Sequence, residues 1–167
     1  MTDPRALSSL YNVVAMLEPT VCKVPFSRAH WPRHVTVSRN FEADLPLDEL
    51  ASLITEVAAA QPGFTATSGR PAAFGTKGEI AVVLVEPGTT WSRLHTAFQD
   101  ALSFAGARFT TPYVRDEFRA HATDTRAGPW TGSAEVSALT VAAMDATTAT
   151  LIADFPFAAR DPGTGAG

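Results

Sequence analysis

Histidine and hydroxyl side chains recur at one spacing in two places of this 167-residue chain. His34-Val35-Thr36-Val37-Ser38-Arg39 and His121-Ala122-Thr123-Asp124-Thr125-Arg126 both read His-x-Thr-x-(Ser/Thr)-Arg. Imidazole, with a reference pKa of about 6.5, can take or give a proton at neutral pH. A threonine hydroxyl can donate a hydrogen bond beside it. On a β-strand successive side chains alternate, so residues two apart share a face. Each copy can thus present an imidazole and a hydroxyl to one pocket.

The surrounding pattern supplies strands for both copies. Leu10–Leu17 is an apolar run that fits a buried strand, stopped at Glu18-Pro19. Residues 20–33 carry Pro25 and Pro32 and read as a loop, after which His34–Val37 forms the first motif strand. Pro46–Ala60 reads as a helix, with Asp48 and Glu49 in its first turn and a stripe of Leu47, Leu50, Leu53, Ile54 and Val57. Phe64–Thr67 alternates like a strand and enters a Gly/Pro loop, Ser68–Gly78, which lacks the phosphate-cradling GxxxxGK[ST] pattern. Ile80–Val85 reads as a strand. A second helix, capped by Thr89 or Thr90, runs to Phe104 before Gly106. Arg119–Thr125 is the second motif strand, and Val136–Met144 with Thr150–Phe157 forms a hairpin about Asp145-Ala146-Thr147.

Strands in runs, with only two helices, favour an α+β fold with antiparallel sheets. The motif strands fall at comparable places in the two halves. This suggests two pseudo-symmetric lobes with flanking helices around a central cleft where the motifs meet. The expected organisation is a flexible arm over 1–9, a single two-lobed domain over 10–157, and a disordered Gly-rich tail over 158–167.

Composition narrows the partners. The formal net charge of −4 gives no global basic field for duplex DNA or an anionic membrane. No apolar run approaches a membrane span, and the N-terminus lacks a signal pattern, so a soluble cytoplasmic protein is expected. A single cysteine, Cys22, leaves no internal disulfide framework. Nothing in the sequence demands a dimer, and a monomer is expected. No metal is expected, since Pro32 between His30 and His34 opposes a helical ligand pair and no Cys or acid cluster completes a site.

With both motifs and the element order in hand, the chain resembles the 2H phosphoesterase superfamily, which includes the 2′-5′ RNA ligase-like proteins and cyclic nucleotide phosphodiesterases. That family is named for two His-x-(Thr/Ser) motifs, each commonly followed by an apolar residue. Arg33-His34-Val35-Thr36-Val37 matches in full, whereas Ala120-His121-Ala122-Thr123-Asp124 has an acid in the last place. Arg126 stands where ligase-like members often carry an arginine, and Ala138-Leu139-Thr140 with Leu151–Phe157 resembles their closing hairpin. The resemblance covers roughly Leu10 to Phe157.

It implies a two-lobed fold and metal-free, cofactor-free chemistry on 2′,3′-cyclic phosphates, related cyclic phosphodiesters or 2′-5′ linkages. His34 and His121 would then be the acid–base pair, and Thr36 and Thr123 the phosphate donors, with Arg126 assisting. Arg126 and Arg39 lie five places from their histidines, on the opposite strand face unless the strand ends or bulges. Tyr113 and Trp130 are candidates to stack a nucleobase, as is Trp31. The low basic content favours a small nucleotide or an RNA end over a long RNA tract. An RNA 2′-5′ ligase and a non-catalytic phosphate-binding module are the alternatives, the latter suggested by Asp124.

Overall fold

A computed structural model describes residues 10–110 and 117–160. Among the described residues ten strands form two antiparallel sheets, accompanied by two helices. The larger runs in the order β2 (Pro25–Ser27), β10 (Thr148–Pro156), β9 (Ala138–Met144), β1 (Leu10–Met16), β3 (His34–Glu42), β6 (Arg108–Phe109). The smaller runs β7 (His121–Thr123), β5 (Ile80–Glu86), β4 (Phe64–Phe74), β8 (Ser133–Val136). Each sheet draws strands from both halves of the sequence.

Helix α1 (Leu47–Ala59) buries Leu50, Ile54 and Ala58, one residue per turn of a single face, and packs on β10 and on the second helix. Pro46 precedes its first turn as the cap residue, and Leu47 is 50% exposed rather than part of the buried stripe. Helix α2 (Gly88–Phe104) buries Trp91, Leu94, His95, Phe98, Gln99 and Leu102 against β3 and β5, so it bridges the two sheets. It starts earlier than the Thr89 or Thr90 cap expected from the sequence. A Glu86 Oε2 accepts the Gly88 N–H at 2.7 Å and serves a free donor of the first turn. Val13, Val35, Val37 and Phe41 from the larger sheet meet Trp91, Phe98 and Leu102 in one core. Full burial of such side chains contributes about 1.5–3 kcal/mol each.

Three local expectations are corrected. The Gly/Pro stretch 68–78 is not a loop, because β4 continues through it to Phe74 and pairs with β5. A register shift between Ser68 and Pro71 absorbs the proline that the sequence pattern read as a break. The turn itself needs Gly75 and Gly78, both at positive φ. Val136 ends β8 of the smaller sheet rather than starting the closing hairpin, which is β9–β10. The loop over 20–33 contains β2, three residues paired with the far end of β10. The expected arm over 1–9 and the end of the tail, 161–167, lie outside the described residues. Within the described part of the tail, Ala158 bridges to Pro62 and Arg160 reaches Gly63 O, Thr65 and Glu135. No helix among the described residues is long and apolar enough to cross a membrane.

Candidate active site

The two motif strands belong to different sheets. His34 opens β3 and pairs with Met16 of β1, while β7 is an edge strand whose His121 pairs with Leu84 of β5. The strands β3 and β7 are in contact. Val35 and Ala122, between each histidine and its threonine, are fully buried in the core and hold their strands down. The alternation leaves His34, Thr36, His121 and Thr123 on the cleft side.

Two adjoining hollows lie along these strands. One, of about 810 Å³, is lined by His34, Thr123, Asp124 and Arg126 together with Trp31 and Arg33. The other, of about 690 Å³, is lined by Thr36 and His121 with Arg39, Phe74, His95 and Arg119. The pairs are therefore crossed: each histidine shares its hollow with the threonine of the other motif. That is the arrangement expected of two facing strands that run in opposite directions. Neither Thr36 nor Thr123 uses its hydroxyl in a hydrogen bond among the described residues, so both are available to a ligand.

The histidines are held by the same local device. His34 Nδ1 lies 2.7 Å from the Pro32 carbonyl oxygen, and His121 Nδ1 lies 2.9 Å from that of Arg119. A carbonyl only accepts, so each Nδ1 donates its N–H, and Nε2 is left as the titrating nitrogen. Both pKa values are lowered from the ordinary 6.5, chiefly by burial and against the opposing effect of those carbonyls. The charge of His121 lowers His34 further, so the two imidazoles sense each other. Arg119 does the same to His121. Each ring also has an aromatic neighbour: Trp31 lies 4.7 Å from His34, and Phe74 meets His121 edge-on at 4.4 Å.

The other expected residues divide. Arg126 is exposed and lines the His34 hollow. Arg39 lines the other hollow, on the same side as Thr36, because β3 bulges between them: Val14 pairs with Thr36 but Val13 with Ser38. Ser38 Oγ accepts the Val13 N–H at 2.9 Å, replacing the ladder bond lost there. Trp130 is a correction. It is only 6% exposed within the core and lines neither hollow, so its ring is spent on packing. Tyr113 lies outside the described residues.

Further residues, assigned no ligand role from the sequence, border the two hollows. Arg33 extends Nη2 to Thr125 Oγ1 at 3.3 Å and to Gly128 O at 3.1 Å, tying the first motif to the turn after the second. His95, 1% exposed on α2, donates from Nδ1 to the Val37 carbonyl at 2.7 Å and stacks flat on Phe118 at 4.0 Å. Phe74 comes from the segment that composition marks as a loop. Asp124 donates its backbone N–H to Ala81 O, and its Oδ1, in the His34 hollow, is buried without a partner among the described residues. Among the described residues no three His, Cys, Asp or Glu side chains gather as a metal site.

Two antiparallel sheets bearing paired His-x-Thr strands across a cleft define a phosphoesterase-type fold. The model of the 2′-5′ RNA ligase superfamily matches residues 18–158, and the chain belongs to that family. Solved structures of similar fold include E. coli LigT complexed with 3′-AMP, at 16% identity and a TM-score of 0.57, covering 89% of this chain and 98% of that one. E. coli LigT complexed with NADP+ gives 15% and 0.58, with 90% and 98% covered. TT0787 of Thermus thermophilus gives 13% and 0.61, with 91% and 100% covered. No curated protein matches the chain.

Proposed function

We propose that the protein is a phosphoesterase that opens cyclic phosphodiesters, a 2′,3′-cyclic nucleotide or a related ester, by acid–base catalysis from His34 and His121. The observation that carries this reading is the crossed pairing of two histidines and two threonines, with both Nε2 atoms left to titrate. One neutral imidazole takes the proton of the attacking water at Nε2, and a new P–O bond forms. The other, protonated at Nε2, gives its proton to the departing ribose oxygen as the old P–O bond breaks. The product is a phosphomonoester, and the two histidines have exchanged protonation states. Thr36 and Thr123 donate hydrogen bonds to the non-bridging oxygens, and Arg126 adds a positive charge from the His34 side. The nucleotides named with the LigT structures, 3′-AMP and NADP+, suit a cleft of this kind.

The test is turnover of 2′,3′-cyclic mononucleotides, ADP-ribose cyclic phosphate and 2′-5′-linked dinucleotides by the wild type, His34→Ala and His121→Ala. General acid–base catalysis contributes about 10²–10⁴-fold per group, so each variant should lose at least that while keeping its circular dichroism spectrum. Wild-type rates in His121→Ala on every substrate would sink the reading. Membership of the 2′-5′ RNA ligase superfamily favours a second use of the same cleft, joining RNA ends through a 2′-5′ linkage. Accumulation of the 2′-5′ linkage, rather than its hydrolysis, would identify it. Asp124, which departs from the apolar residue usual after the second motif, favours a module that binds a nucleotide without turnover. Nucleotide binding with no turnover at any pH would identify that case.

A further inference from the structure

The His121 hollow contains two cations to which the proposed reaction gives no task. The guanidinium carbon of Arg39 lies 4.7 Å from the centre of the Phe109 ring, and that of Arg119 lies 4.6 Å from the centre of Phe74. A guanidinium laid over an aromatic face is held in one orientation while its N–H edges remain open. Neither arginine makes an ion pair or a side-chain hydrogen bond among the described residues, and Nε of Arg39 is shielded from water with no partner.

Other arginines are spent differently. Arg33 holds Thr125 and Gly128, Arg28 holds the Asp145 carbonyl, Arg108 pairs with Glu42 and Asp44, and Arg160 pairs with Glu135. Burial lowers the pKa of Arg39, as befits a cation with no counter-charge beside it. A partly desolvated, unpaired cation is costly, and an incoming anion offsets that cost. Glu117 is the carboxylate in the same hollow, leaving two positive side chains against one negative.

We propose that Arg39 and Arg119 form an anion subsite for a second phosphate of the substrate, one that is not attacked. The inference rests on the acid–base reading of the cleft, and it narrows the substrate to a nucleotide that carries a phosphate besides the cyclic one. Guanidinium edges match phosphate oxygens two at a time, which favours phosphate recognition. Arg39 stands three residues beyond Thr36 on β3, and the bulge between them shortens that step to about 7 Å along the strand, a distance that a single nucleoside spans. The second phosphate is then the 5′-phosphate of the same nucleotide.

The test is calorimetric binding of adenosine 2′-monophosphate and adenosine 2′,5′-bisphosphate to the full chain at fixed salt. The readout is the ratio of the two Kd values. The wild type should bind the bisphosphate at least tenfold more tightly, and Arg39→Gln and Arg119→Gln should each bring the ratio close to one. Arg119 is exposed, so its variant keeps the test open should Arg39→Gln fail to fold. Arg93→Gln, on the exposed face of α2, controls for net charge and should keep the wild-type ratio. A wild-type ratio near one, an advantage that survives in Arg119→Gln, or an equal loss in Arg93→Gln would overturn the subsite. Hydrolysis of 2′,3′-cyclic adenosine phosphate separates the two ideas. Turnover without a bisphosphate preference removes the subsite alone, whereas the preference without turnover removes the phosphoesterase reading alone.

Discussion

Each catalytic candidate has one nitrogen committed to its own strand. The carbonyls of Pro32 and Arg119, two residues upstream of their histidines, hold the Nδ1 protons and aim Nε2 at the cleft. Burial lowers both pKa values, so at neutral pH the empty site holds two neutral imidazoles. One must be protonated to act as acid. The pH profile of kcat/KM, which reports the free enzyme, should therefore peak on the acid side of 6.5. A bound phosphate anion favours the protonated form, so the kcat profile should lie at higher pH than the kcat/KM profile. A kcat/KM maximum above neutrality would contradict this. Stability follows with the opposite partner. Above 6.5 the rings are neutral in both folded and unfolded chains, and below it the unfolded chain binds protons more readily. Melting temperature should fall as pH drops through that range, levelling off below the folded pKa values, and His34→Gln should flatten the fall.

Element geometry decides which side chains join the histidines. The bulge in β3 turns Arg39 back to the Thr36 side, and Ser38 stands in for the missing ladder partner of Val13. Ser38→Ala leaves that buried N–H unsatisfied, at about 1–3 kcal/mol. For a domain of this size the melting temperature should drop by roughly 2–12 °C, measurable by calorimetry. The start of β3 was legible because Val35 and Val37 alternate with His34 and Thr36. The bulge was not, since Thr36 and Ser38 look like continued alternation and only the pairing with β1 reveals the extra residue. The outer half of β4 was hidden for a different reason. Gly69 and Pro71 are turn residues by composition, but Gly69 is required where the strands crowd, as a Cβ there would lie 2.9 Å from Leu84 O. Gly69→Ala should destabilise the β4–β5 hairpin, seen as faster amide exchange in both strands. The core stripe of α1 was mostly visible from spacing, apart from the exposed Leu47.

At the scale of the whole molecule, the site exists only because the two sheets meet. Repeated motifs implied that meeting, but no local pattern announced that β9 returns beside β1, or that β7 would be an edge strand. Long-range pairing settles both, and the sequence carries it only as compatible surfaces. Arg33 is one brace across the junction, joining residues far apart in the chain. Arg33→Met should leave the melting temperature nearly unchanged yet lower kcat/KM on cyclic phosphates. A misplacement of about 1 Å can cost on the order of 10²-fold. Full activity in that variant would show that the brace has no part in alignment. The crossed histidines and threonines have a further consequence under the proposed chemistry. Each hollow offers one histidine and one threonine, so the four side chains do not by themselves tell one ester oxygen from the other. Handedness must come from the walls, with Arg126 and Asp124 on one side and Arg39, Phe74 and Arg119 on the other. Which oxygen leaves is thus written in residues that never touch a proton, and exchanging the walls, rather than the histidines, is the way to reverse the regiochemistry.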